Sequence, residues 1–100
     1  MDTWDVEYEI NGDLFVWNRH KAEENQRKHG VSFEDAACVF GDPYFILTDA
    51  SRNDEARDAI VGLDLQARLL FVVHIEIAPL YIRIISARRA EPREEAIYAD

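Results

Sequence analysis

Apolar and polar residues alternate over residues 4–10, where four apolar side chains are separated by three acidic ones. A period of two is typical of a strand with one buried face. Asn11 and Gly12 follow, a pair that favours a tight hairpin turn, and residues 14–17 are apolar enough to form the returning strand. The chain is therefore predicted to begin with an antiparallel hairpin.

The next segment predicts a helix whose inward face is polar. Asn18 is a favourable N-cap, and Gly30 can adopt the left-handed conformation that ends a helix. At 100° per residue, one side of this helix carries Asn18, Lys21, Ala22, Asn25, Lys28 and His29. Because no apolar stripe exists, we expect the helix to turn amide and cationic groups toward the sheet. They would form either a buried hydrogen-bond network or a site.

The rest of the chain predicts one more helix, a sheet and a closing helix. Ser32 begins a short second helix that ends at residues 41–43. Short apolar runs then predict four strands, over residues 44–48, 57–63, 69–77 and 80–87. Their short connections favour antiparallel pairing, and Pro92 suits the first turn of a last helix.

The predicted fold class is α+β, with two N-terminal helices and a short C-terminal helix packed on an antiparallel β-sheet. Composition agrees with one domain over residues 1–100, since 48% hydrophobic content is enough for a core. The single Cys38 excludes an internal disulfide, and we interpret it as a small core residue. No signal peptide and no apolar run near the ~20 residues of a membrane span are present, so we expect a cytoplasmic protein without a membrane partner.

The net charge of −9 disfavours an extended nucleic-acid surface, because phosphate binding normally needs a basic one. The acidic and basic residues are unevenly distributed along the chain, however. Residues 2–13 carry five acidic residues and no basic one, whereas arginines gather near the end of the chain, at Arg83, Arg88, Arg89 and Arg93. Such a chain can still bind one phosphate locally, or it can bind a basic protein.

Several motifs together resemble the BrnT family of bacterial toxins. The first is Trp17-Asn18-x-x-Lys21-x-x-x-Asn25-x-x-Lys28-His29-Gly30-Val31-x-Phe33. The others are Glu55-x-Arg57, Gly62, residues 69–73 and residues 83–88. They cover about residues 15–98 in the family's order, so residues 1–13 are expected to be an extra strand outside the family core.

The resemblance implies a RelE-like toxin of a type II toxin–antitoxin module, a ribonuclease that halts translation. It also implies neutralisation by a BrnA-like antitoxin, a ribbon-helix-helix protein through which the pair would contact DNA indirectly. No cofactor or metal is expected, since no His, Asp and Glu cluster has ligand spacing. Whether the chain forms a homodimer or a heterotetramer with the antitoxin is left open.

Metal-independent RNA cleavage needs a base for the 2′-hydroxyl, an acid for the leaving oxygen and cations around the phosphorane. With the resemblance, these needs point to four catalytic candidates. His29 would be the acid and base, and Lys28, Arg57 and Arg83 would be cations around the scissile phosphate. Candidate RNA or phosphate ligands are Lys21, Asn25, Arg88 and Tyr98. Relatives often carry a histidine in the loop that corresponds to residues 49–54, and their closing helix is richer in arginine than residues 92–95.

Each candidate also has a structural interpretation. His29 can be a helix C-cap, and Lys21 and Lys28 can simply be solvated. Arg57 and Arg83 can pair with internal carboxylates such as Glu55.

Three further residues have structural interpretations of the same kind. Arg88 can be a solvated strand exit, and Tyr98 can be a packing residue with a hydrated hydroxyl. We interpret His74 as lying at the solvated end of a half-covered strand. A second function thus stays open beside the ribonuclease: a non-catalytic interaction domain that binds a basic ribbon-helix-helix protein through the acidic hairpin.

Overall fold

The fold is a single β-sheet with helices attached to it, and the computed structural model describes residues 3–51 and 56–99. In chain order its elements are β1 (Asp5–Ile10), β2 (Asp13–Asn18), α1 (Arg19–His29), α2 (Phe33–Cys38), a 3-10 turn (Val39–Gly41), β3 (Ile46–Asp49), β4 (Asp58–Leu63), β5 (Leu69–Ile77), β6 (Tyr81–Arg89) and α3 (Pro92–Ala99). The α+β class and the antiparallel pairing of β3 to β6 are therefore confirmed.

The six strands lie in the order β1-β2-β6-β5-β4-β3. The predicted hairpin is present, and Asn11 and Gly12 at its turn both have positive φ, of 53° and 84°. All neighbours are antiparallel except β2 and β6, which pair in parallel at Phe15 with Ile82 and Val16 with Arg83. This contact joins the hairpin to the other strands. The sequence did not predict it, because residues so far apart in the chain leave no local signal of their pairing.

Both α1 and α2 pack on one face of the sheet. The core between them contains Phe15, Trp17, Val31, Phe33, Ala36, Ala37, Val39, Ile60, Leu70, Val72, Ile84 and Ala87. Since strand side chains alternate between faces, residues such as Phe71 and Arg88 point to the other face, away from both helices. That face is bordered by α3, which contacts β4.

The predicted caps of α1 are confirmed, but the predicted inward direction of its charged groups is wrong. The Asn18 side chain accepts from the backbone N–H of Lys21 at 3.1 Å, and Gly30 ends the helix with φ of 69°. Lys21, Lys28 and His29 are all exposed. Long cationic side chains reach water from the flank of a docked helix, so only the short amide of Asn25 is buried with the sheet.

Asn25 completes the open edge of β6. The strand pairs with β2 as far as Arg83 but continues to Arg89. Beyond the end of β2, the Asn25 Oδ1 atom accepts from the Ala87 N–H at 3.1 Å, and Nδ2 donates to the Ala87 carbonyl at 2.8 Å. Nδ2 also donates to the Val31 carbonyl at 3.0 Å. One buried side chain thus supplies the hydrogen bonds that a neighbouring strand would make.

The interpretation of His74 as a solvated residue is wrong. Its side chain is 3% exposed and packs edge-on against Phe40, with ring centroids 4.9 Å apart. Burial lowers the pKa of His74, so the imidazole stays neutral at physiological pH. The sequence pattern misled here because α2 and the turn after it extend far enough to cover this end of β5.

We expect Asn25→Ala to destabilise the fold strongly. The substitution leaves the Ala87 N–H and two backbone carbonyls without their partner in a buried place, which costs about 3 kcal/mol in the free energy of unfolding. Urea denaturation followed by circular dichroism measures this difference. The matched control is Gln26→Ala, one residue along the same helix but exposed, which should change stability by no more than about 0.5 kcal/mol. Equal effects of the two changes would contradict the role assigned to Asn25.

Candidate phosphate-binding groove

A groove of about 380 Å³ lies on the sheet face that points away from α1 and α2. Its floor comes from two neighbouring strands, whose register pairs Phe71 with Arg88 and Val73 with Ser86. Its walls come from α3 and from the segment that leads into β4. The lining residues are Ala50, Ser51, Arg57, Phe71, Val73, Ser86, Arg88, Arg93 and Glu94.

The groove is locally basic on a strongly acidic chain. Among the described residues that line it, three are arginines, Arg57, Arg88 and Arg93, and one is a carboxylate, Glu94. The whole chain carries a net charge of −9. A concave surface of one sign concentrates the field of its charges, so this groove favours an anion even though the protein as a whole repels one.

Arg88 is held in a fixed orientation at the floor of the groove. Its guanidinium lies over the Phe71 ring, 4.5 Å from the centroid, and makes two hydrogen bonds of 2.8 Å to the Glu94 carboxylate. Hydrogen bonding from Arg88 holds the pKa of Glu94 below its ordinary value, and the same contact raises the pKa of Arg88. Both groups are therefore charged across the physiological range.

Arg57 enters the groove from the start of β4. Its backbone N–H donates to the Ser51 hydroxyl at 3.3 Å, and its carbonyl accepts from the Ala50 N–H at 3.0 Å. These bonds join the segment that follows β3 to the residue that precedes β4, and both of these line the groove. The side chain is half-buried, whereas Arg93 on the first turn of α3 is exposed. Arg57 and Arg88, both predicted from the sequence, are thus brought together.

Arg83 is not part of this groove. Its guanidinium pairs with the Asp5 carboxylate through contacts of 3.3 Å and 3.1 Å, and this partner raises the pKa of Arg83. With Lys21 and Asn18 these two residues line a separate hollow of about 350 Å³. The predicted alternative of an internal carboxylate for Arg83 is therefore confirmed, with Asp5 as the partner. Glu55, the partner named from the sequence, lies outside the described residues, as does much of the 49–54 stretch.

The remaining predicted residues also lie elsewhere. Lys28 and His29 are exposed at the end of α1, on the helix-covered side of the sheet, where Lys28 makes a 3.4 Å surface ion pair with Glu24. Both donors of Asn25 are used by backbone carbonyls, which leaves none for a phosphate. The structure therefore gives Asn25 a positioning role.

Tyr98 is tied to Asp42 at the far end of α3. Its hydroxyl donates to Asp42 Oδ2 at 2.7 Å, and this bond raises the pKa of Tyr98 to about 12. Asp42 also accepts from the backbone N–H groups of Tyr44 and Leu63. A phenol with such a pKa is a poor base at neutral pH, so Tyr98 anchors the helix.

Three features of the groove were missed from the sequence: Arg93, Ser86 and the aromatic floor at Phe71. One signal was present, because Ser86 and Arg88 are two residues apart on one strand and must share a face. The rest depends on the register between β5 and β6 and on where α3 turns, which no local pattern encodes. Glu94 was likewise visible only as part of an acidic helix start.

The described part of the chain contains no group of three or more His, Cys, Asp and Glu side chains arranged to hold a metal ion. Among the same residues, no helix combines the length and apolar character needed to cross a membrane. The groove itself presents guanidinium groups, whose planar forks match the oxygens of a phosphate.

Comparison with known proteins agrees with the motifs and the fold. The family model described as the ribonuclease toxin BrnT of a type II toxin–antitoxin system matches residues 17–94. The fold is similar to the 1.1 Å crystal structure of the Brucella abortus ribonuclease toxin BrnT, with a TM-score of 0.59 and 21% identity over 75% of this chain and 92% of that one. No curated protein matches the chain. Since the matched residues make up well over half of the sequence, this chain belongs to the BrnT family of ribonuclease toxins of type II toxin–antitoxin systems.

Proposed function

We propose that this protein is a metal-independent endoribonuclease toxin of RelE-like architecture that holds the RNA backbone in the arginine groove. The observation that carries the proposal is the convergence of Arg57, Arg88 and Arg93 in one concavity of a chain with net charge −9. Guanidinium groups gathered in a concave surface raise the local concentration of anions, and their planar forks match phosphate oxygens. Membership of a ribonuclease toxin family makes an RNA phosphate the natural anion.

In the proposed reaction the 2′-hydroxyl of the substrate gives its proton to water and attacks the adjacent phosphorus, which forms a 2′,3′-cyclic phosphate. The 5′-oxygen of the next nucleotide leaves and takes a proton from water. Negative charge grows on the non-bridging oxygens as the five-coordinate phosphorane forms. Arg57 and Arg93, which reach the groove from two different segments, would stabilise that charge, while Arg88 would hold the phosphate at the floor. Fixed donors of this kind act without reorganisation and contribute much of the rate in many enzymes.

His29 was proposed from the sequence as the acid and base, yet it lies at the end of α1 on the opposite side of the sheet. Among the described residues that line the groove there is no histidine. We therefore propose that charge stabilisation by the arginines dominates catalysis. His29 and Lys28 would contact RNA only beyond the scissile phosphate.

A type II toxin implies an antitoxin partner, and we propose a basic protein of the ribbon-helix-helix class, similar to BrnA, with DNA bound only through it. The acidic surface of β1 supports this choice. Glu7 and Glu9 are exposed on that strand, at the edge of the sheet, whereas Asp5 is occupied by Arg83. Opposite charges would speed association and favour a basic partner over an acidic one.

We expect Arg57→Gln and Arg93→Gln together to abolish growth arrest on induced expression and to lower RNA cleavage in vitro by about a hundredfold or more, because two phosphorane-stabilising cations are lost. Cleavage of a fluorescent RNA by the purified protein measures the rate. The control is Arg27→Gln with Arg19→Gln, which removes the same charge from exposed positions on α1. If wild type and both variants were equally harmless, the protein would be the non-catalytic interaction domain instead.

We expect cleavage to persist in EDTA, because the proposed chemistry uses only side chains and the substrate's own hydroxyl. The rate with excess chelator should stay within about twofold of the untreated rate. A commercial metal-dependent nuclease serves as the control for complete chelation. Loss of activity that returns on addition of Mg²⁺ would contradict the metal-independent mechanism.

We expect His29→Gln to lower the rate less than tenfold and to leave its dependence on pH between 5 and 8 unchanged, since a general acid or base is worth about a hundredfold or more. The measurement is the rate of cleavage across that range for wild type and variant. Disappearance of a pH-dependent limb near the pKa of histidine would show that His29 does transfer the proton.

A further inference from the structure

We infer that Glu94 is an internal competitor for the phosphate of RNA: its carboxylate occupies the guanidinium fork of Arg88, and a substrate must displace it to reach the floor of the groove. The inference rests on the proposed function and adds to it a residue that determines which anions the groove accepts. Glu94 is carried by α3, whereas Arg88 belongs to the sheet.

The contact has the geometry that a phosphate would adopt. Nη1 and Nη2 of Arg88 each donate to a separate oxygen of Glu94 at 2.8 Å, a two-pronged arrangement in which the carboxylate takes the place of two phosphate oxygens. Nη1 also donates to the Arg89 carbonyl at 3.1 Å. An incoming phosphate cannot form the same pair of bonds while Glu94 remains there.

Glu94 is well placed to persist as a competitor. It is 7% exposed, and its Oε1 atom accepts from the backbone N–H of Glu91 at 2.8 Å, as in the capping of a helix start. It therefore begins close to Arg88 and does not have to be recruited from water. A tethered group of this kind competes at high effective concentration against a dissolved anion.

The helix that carries Glu94 can yield without unpacking the core. Glu94 is the buried residue of α3, and Ile97 is 39% exposed. Polar contacts tie α3 to the body at both ends, Glu94 to Arg88 and Tyr98 to Asp42, and the helix also contacts β4. No residue of α3 belongs to the hydrophobic core, so displacement of Glu94 breaks a charged contact and leaves that core intact.

The consequence is selectivity for a polyanionic chain. A single small anion meets Glu94 on Arg88 and gains little by replacing it. A stretch of RNA can bind Arg57 and Arg93 through neighbouring phosphates, and these contacts compensate for the displacement of Glu94 from Arg88. The groove would thus discriminate against inorganic phosphate and mononucleotides, which are abundant competitors in a cell.

The test is Glu94→Gln, measured by fluorescence anisotropy with a 2′-O-methyl oligoribonucleotide, which lacks the attacking hydroxyl and is not cleaved. Glutamine keeps the hydrogen bond to the Glu91 N–H but has no charge, so the helix start is retained. We expect the variant to bind the oligonucleotide roughly tenfold more tightly, because Arg88 no longer has to give up a charge-assisted hydrogen bond to Glu94 before it binds a phosphate. The plot of log affinity against log salt should steepen by about 0.7, as for one more phosphate contact with a single strand.

The matched control is Glu95→Gln, which removes the same charge from the exposed neighbour on α3. No change for Glu95→Gln beside the gain for Glu94→Gln supports the inference, as does loss of the gain when Arg88→Gln is also present. Equal gains for both variants would show a general charge effect, and weaker binding by Glu94→Gln would show that Glu94 merely positions Arg88. Either result overturns the inference.

Two further measurements separate failure of the inference from other failures. Circular dichroism checks whether Glu94→Gln retains α3. If misfolding were seen, the same competition is tested in the wild type by inorganic phosphate, which should displace the oligonucleotide only above millimolar concentration; displacement at micromolar concentration overturns the inference. A different result would overturn the proposed function, and the inference with it. In that result the wild type does not bind the oligonucleotide, and Arg57→Gln leaves the rate of RNA cleavage unchanged.

Discussion

The buried amide of Asn25 is the contact on which the rest of this structure depends. By bonding the N–H and the carbonyl of Ala87, it closes the edge of β6 where β2 has ended, and it docks α1 on the sheet in the same step. A strand edge left open in the interior would be costly, because both backbone groups need partners there. With Ala87 held toward the helix, its neighbours Ser86 and Arg88 must point to the opposite face. The basic groove is thus a consequence of how the helix is attached.

Ion pairs determine which arginines of this protein are available to bind another molecule. Two arginines of β6 meet carboxylates from the two ends of the chain, Arg83 with Asp5 of β1 and Arg88 with Glu94 of α3. The first pair ties the N-terminal strand, which precedes the residues matched by the family model, to the centre of the sheet. The second lies inside the groove, where we infer that Glu94 competes with anions for Arg88. A protein with a net negative charge can in this way carry a local basic site in which one arginine is paired with an internal carboxylate.

Prediction from the sequence succeeded where the structure is decided over a few residues. The turn at Asn11 and Gly12, the caps at Asn18 and Ser32 and the start of α3 at Pro92 are all present, since each depends on backbone geometry within one turn of chain. Prediction failed for His74, which is buried and not solvated, and for the lysines of α1, which are exposed and do not point toward the sheet. Burial there depends on which distant element lies above a residue, and a flexible four-carbon side chain can reach water from a docked face.

The sequence by itself determined the elements, the antiparallel order of β3 to β6, the family motifs and the residue types that a phosphate site needs. Only the tertiary structure decided which of those residues meet. Arg57 and Arg88 line the same groove because β5 pairs with both β4 and β6 and α3 borders that face. Arg83 instead pairs with Asp5, and His29 lies on the other side of the sheet. The physical reason is that strand register and the direction of a helix axis are set by packing between distant segments, while sequence spacing reports only on neighbours along the chain.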